Sequence, residues 1–113
     1  MRALIANAPA MYREVISAAL RELRPGMEIF TAEPEDLEAA FLRLRPQLVV
    51  CSRLTKRVEL GAPAWVELYP DGAPFAVVGS SDGSRRTHPV MGFDTLLSIL
   101  DAVSGQHPAK TKS

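Results

Sequence analysis

A chain of 113 residues, 47% of them hydrophobic and 23% charged, has the length of one domain with one ordinary core and needs no covalent staples. Thirteen basic residues balance thirteen acidic ones, which removes the global field that would steer the protein onto nucleic acid or an anionic membrane. The single cysteine, Cys51, excludes an intrachain disulfide and any multi-cysteine metal site, and suits a reducing cytoplasm.

The N-terminal run MRALIANAPA is too short in its apolar part for a signal peptide, and no segment has the apolar length of a bilayer span. Ala3 to Ala6 reads as a strand covered on both faces. Asn7 then offers an N-cap, with Pro9 in the first turn of a helix that carries Tyr12, Ile16, Ala19, Leu20 and Leu23 at helical spacing. Pro25-Gly26 stops it, and Met27 to Phe30 forms a second strand.

Pro34 fits the first turn of a second helix. Glu35, Asp36 and Glu38 lie where its dipole favours negative charge, and Leu37, Ala40, Phe41 and Leu44 make the apolar stripe. Pro46 ends it, and Gln47 to Cys51 is the third strand. The order β-α-β-α-β with short joints predicts parallel strands and right-handed crossovers.

The stretch from Lys56 to Val78 holds Gly61, Pro63, Pro70, Gly72 and Pro74, which breaks helical patterning. Trp65–Tyr69 and Phe75–Val78 are β-rich and flank the turn Pro70-Asp71-Gly72. A second turn, Ser80 to Gly83, precedes a short strand from Arg85 to Val90. Phe93, Leu96, Leu97, Leu100 and Val103 then mark a final helix that packs on the same sheet beside the first. Residues 1–103 form the expected single domain, and 104–113, polar and aperiodic, a disordered tail.

The segments RALIANAPAMYREVISAALREL and RLRPQLVVCSRL, within residues 2–54, resemble the receiver domain of bacterial response regulators. That resemblance implies a flavodoxin-like α/β fold with a phosphorylation site at the strand ends. By position its acidic pair falls on Asn7 and Ala8, its phosphate-accepting Asp on Ser52 and its switch hydroxyl on Ser80, while nothing matches its Lys. Magnesium is held by carboxylates and phosphate oxygens. Asn7 supplies one neutral carbonyl, Ala8 none, and Ser52 is a weak nucleophile without a base. The second half also departs from the family: either an antiparallel meander or worn-down receiver elements replace its last two βα units.

Asn7, Ser52 and Ser80 are expected to converge at the C-terminal edge of the sheet, where open α/β folds bind ligands, either as a small-molecule or anion site or as caps and backbone partners. Cys51 closes a strand that reads as buried, which argues against a reactive thiol. His88, with Asp82 and Asp94 as neighbours, and His107 are too isolated for a metal site. Strand alternation with Val66 and Leu68 inward turns Trp65 and Tyr69 outward, as interface anchors or as covers for the core; Arg85 and Arg86 add charge nearby.

These readings point to a non-enzymatic, cytoplasmic regulatory or interaction module without cofactor or metal. Its partner would be another protein or a second copy of itself, with neither nucleic acid nor membrane. The alternative is a sensor of small ligands or anions in the crevice around Asn7, Ser52 and Ser80.

Overall fold

The protein is described here by a computed structural model covering residues 1–105; the greater part of the expected tail, and His107 with it, lies outside the described residues. The elements in order are β1 (Arg2–Ala6), α1 (Ala10–Leu23), β2 (Glu28–Thr31), α2 (Leu37–Leu44), β3 (Leu48–Cys51), α3 (Lys56–Gly61), β4 (Ala64–Leu68), β5 (Phe75–Ser80), β6 (Arg85–Pro89) and α4 (Phe93–Ser104). They build a mixed α/β domain on one six-stranded sheet of order β2-β1-β3-β4-β5-β6. No helix among the described residues is long and apolar enough to cross a membrane.

β1 pairs in parallel with β2 and β3, and β3 in parallel with β4. The direction reverses after β4, so β4–β5 and β5–β6 are antiparallel. The three strands expected as a meander form one, β4-β5-β6, but a helix and a parallel β3–β4 pairing precede it where none was expected. Between β3 and β4 the chain makes a six-residue helix, α3, whose cap is Thr55: its hydroxyl accepts the Val58 N–H at 3.3 Å. One and a half turns before Pro63 are too few to leave a periodic signal, yet they are enough to carry the chain across the sheet.

Helices cover both faces. α1 and α4 pack over Ala3, Ile5, Leu48, Val50, Val66, Leu68 and Ala76. α2 and α3 pack over Leu4, Ala6, Val49, Cys51 and Trp65. Alternation along β4 thus sends side chains into one core or the other, and neither face is open to solvent. This overturns the outward placement of Trp65, which is 1% exposed.

Trp65 owes its fit to register. Gly79 lies directly opposite it on β5, and Arg85 opposite Gly79 on β6. The indole lies across the bare glycine, close enough that a Cβ there would come within 2.6 Å of Cε2. The Arg85 guanidinium stands 5.3 Å from the ring centroid and is held by Glu59 of α3 at 3.1 Å.

α4 buries Leu96, Ile99, Leu100, Val103 and Ser104. Phe93, expected in that stripe, is 54% exposed. It is the first residue of the helix, and Ile99 fills the stripe instead.

Candidate functional site

The C-terminal edge of the parallel strands is closed by its own residues. Asn7, just past β1, is fully buried; its amide Nδ2–H donates to the Leu68 carbonyl at 3.1 Å. Its Oδ1 has no hydrogen-bond partner among the described residues. Asn7 is therefore no helix cap: Pro9 occupies that position, and the Asn7 side chain ties β1 to the end of β4. The Arg13 guanidinium donates to the Asn7 backbone carbonyl at 2.8 Å and anchors the first turn of α1 to the same corner.

Ser52, just past β3, accepts the Ala8 N–H on its hydroxyl oxygen at 3.2 Å. An opening of about 380 Å³ lies over this bond, lined by Ala8, Pro34, Glu35, Ser52, Arg53, Tyr69, Asp71 and Gly72. Asn7 is not in its wall. The carboxylates at the opening, Glu35 and Asp71, come from surface turns, and among the described residues no three His, Cys, Asp or Glu side chains are grouped to hold a metal ion.

Tyr69 leans on Tyr12 of α1, the ring centroids 5.3 Å apart and tilted by 48°. It also packs, half-buried, against the α1/α4 core. Burial, with Tyr12 adding to it, raises the Tyr69 phenol above its ordinary pKa. The chain turns away here through left-handed backbone at Tyr69, Asp71 and Gly72, with φ of 55°, 52° and 79°. Glycine adopts this freely; at Tyr69 and Asp71 it costs roughly 1 kcal/mol each.

Ser80 does not join Asn7 and Ser52. It pairs with Ala64, which pairs with Leu48 at the start of β3. That places it four residues, roughly 13 Å along the strand direction, from the Ser52 end. The cause is the hairpin at Pro70–Gly72: reversing β5 carries its last residue to the opposite edge. There Ser80 builds a turn. Its hydroxyl donates to Asp82 Oδ1 at 2.5 Å and lies 2.9 Å from the Ser84 hydroxyl, while the Ser84 N–H donates to the same carboxylate at 2.8 Å. These donors, the Ser80 hydroxyl foremost, hold the Asp82 carboxyl down at about 2.

Cys51 is fully buried at the end of β3. Desolvation, assisted by the Glu67 carboxylate and opposed by a backbone hydrogen bond from Arg53, pushes its thiol up to about 12. A thiol so placed is no nucleophile at neutral pH.

Arg85 and Arg86 diverge. Arg85 faces α3 and is engaged by Trp65 and Glu59. Arg86 and His88 face α4, which stops short of β6 and leaves a groove of about 690 Å³. Neither the Trp65–Gly79–Arg85 row nor this groove was anticipated. The glycine opposite a tryptophan carried the signal for the row, but it becomes readable only once the β4–β5 register is known. No protein-family model matches this chain, and no curated protein is significantly similar to it.

Proposed function

We propose that this protein is a non-catalytic regulatory or interaction module: a pseudo-receiver, of flavodoxin-like ancestry in its parallel half, that cannot undergo magnesium-dependent aspartyl phosphorylation. The observation that carries the reading is the fate of Asn7. At the position where a receiver holds acidic side chains, a neutral amide is buried and spent on the Leu68 carbonyl. Ala8 adds no side-chain oxygen, and the Ser52 hydroxyl oxygen accepts the Ala8 N–H. The carboxylates at the opening beside Ser52, Glu35 and Asp71, come from surface turns rather than from the strand ends, and among the described residues no three metal-ligating side chains are grouped for a divalent ion.

Such a module acts by contact, with a protein partner or with its own copy, in the cytoplasm. The alternative reading, an anion sensor at the strand ends, is weakened on three counts. Ser80 is at the other edge, the Asn7 amide is sealed, and the remaining opening carries two carboxylates against one Arg53, which repels anions.

Incubation with acetyl phosphate and Mg²⁺, followed by intact-mass analysis, tests the proposal. The mass stays unchanged if it is right. A phosphoryl adduct on Ser52 overturns it.

A further inference from the structure

β6 ends the sheet, and no strand among the described residues pairs with its outer side. The bonds that close the ends of its pairing with β5 are Ser80 N–H to the Ser84 carbonyl at 3.2 Å and Val90 N–H to the Pro74 carbonyl at 3.0 Å. Antiparallel ladders alternate, so the even-numbered residues of β6 bond inward. The N–H and carbonyl groups of Arg85 and Thr87 point away from the sheet, and Pro89 adds a carbonyl without an N–H.

Side chains alternate as well. Arg86 stands opposite Val78 and His88 opposite Ala76, both on the α4 face. There they line the 690 Å³ groove, with Ile99 and Val103 along its α4 wall. The groove has no Asp or Glu in its lining. Arg86 pairs with no carboxylate among the described residues, whereas its neighbour Arg85 is held by Glu59.

A second copy is a poor occupant. Antiparallel self-pairing centred on Thr87 would set Arg85 against Pro89, which cannot donate, and Arg86 against His88, a basic side chain against a cation. Arginine and proline on an edge strand guard against just this association. They do not guard against a strand of opposite charge.

We infer that the β6 edge docks an extended acidic segment of a partner protein, which adds to the sheet through the outward amides of Arg85 and Thr87 and sets its carboxylates beside Arg86 and His88. This rests on the interaction-module reading and names the partner's chemistry. Main-chain bonds supply affinity, and the basic side chains supply selection.

The test is a ¹⁵N-resolved NMR titration of the full chain with a short capped peptide of alternating glutamate and valine, against its lysine–valine counterpart. The glutamate peptide shifts the Arg85 and Thr87 amides and slows their exchange with solvent; the lysine peptide does neither. Arg86→Glu combined with His88→Glu weakens the glutamate peptide roughly tenfold, one cross-strand charge pair being reversed and a second carboxylate set against the peptide. Thr87→Pro deletes an outward N–H without touching a bond to β5, and abolishes binding. Should that variant unfold, slowed exchange at Thr87 in the unmodified chain decides. The inference is overturned by equal response to both peptides, by shifts confined to the β2 edge at Glu28–Thr31, by undiminished binding to folded Thr87→Pro, or by no response at millimolar peptide. Each of these leaves the acetyl phosphate result standing, and a Ser52 adduct would leave the titration readable, so the two failures are distinct.

Discussion

Gly79→Ala adds one methyl group, and its effect separates backbone propensity from packing. In an ordinary strand the change removes a flexible residue and is favourable by roughly 0.5–1 kcal/mol. Here the new Cβ would overlap Cζ2 of Trp65 and lie within 2.6 Å of Cε2 and 2.7 Å of Cη2. The indole has little room to withdraw: Val49 of β3 is its neighbour on one side, Arg85 covers the other, and the ring is 1% exposed. Overpacking of this kind costs about 1–3 kcal/mol, with the upper part of that range expected where the obstacle is rigid and enclosed. We expect a net loss of about 2 kcal/mol, or a Tm lower by roughly 8 °C. Urea unfolding followed by the fluorescence of the chain's one tryptophan measures it directly. Trp65→Leu in the same background, followed by far-UV circular dichroism because the tryptophan is gone, should recover part of the loss, giving a coupling of at least about 1 kcal/mol in a double-mutant cycle. A Gly79→Ala protein as stable as its parent would refute the packing argument.

Three further outcomes are expected. Asn7→Asp places a carboxylate in a sealed site against the Leu68 carbonyl. It should cost roughly 2 kcal/mol at pH 7 even with Arg13 nearby. Burial raises the folded pKa of the new carboxyl, so the penalty should disappear below pH 4; urea melts at both pH values check it, and equal deficits would refute it. Cys51, raised from 9.0 to about 12, keeps its proton in the folded state. Its contribution is therefore intact below pH 9 and lost between pH 9 and 12, on the order of 4 kcal/mol in full. Alkaline melts of the parent should fall more steeply than those of Cys51→Ala, and native thiol titration at pH 8 should find no reaction. Arg85→Ala removes an exposed ion pair and the guanidinium over Trp65; it should cost about 1 kcal/mol and shift the tryptophan emission to the red.

The elements legible in the sequence were those with an unbroken apolar run, a sustained stripe or clear flanking turn residues. β1, α1, α2, β3 and α4 each announce themselves by an apolar run or by a stripe sustained over two turns or more, and β2, β4, β5 and β6 by β-rich runs between turn residues. Three features escaped for physical reasons. α3 is too short to show a period. The assignment of Trp65 to the surface assumed a sheet with one wet face, whereas α3 and Arg85 close the second. Asn7 was read as a cap because Asn before Pro is good capping chemistry; its side chain instead meets Leu68, sixty-one residues away, and no local rule carries such a contact.

The candidate site failed to assemble for a single topological reason. Asn7 and Ser52 follow parallel strands and meet at one edge, as the alternation of strands and helices implied. Ser80 follows a strand that the Pro70–Gly72 hairpin turns around, so the same "strand, then serine" pattern delivers its hydroxyl to the other edge. A strand's composition is indifferent to its direction. Restoring carboxylates at 7, 8 and 52 would therefore still leave that corner without a switch hydroxyl from β5, and no lysine follows β5 within the described residues. The reversal does more than dismantle an old arrangement. It brings β6 out parallel to β4 across a groove from α4, and so exposes an edge whose outward amides stand beside Arg86 and His88, whereas the opposite edge, β2, carries Glu28.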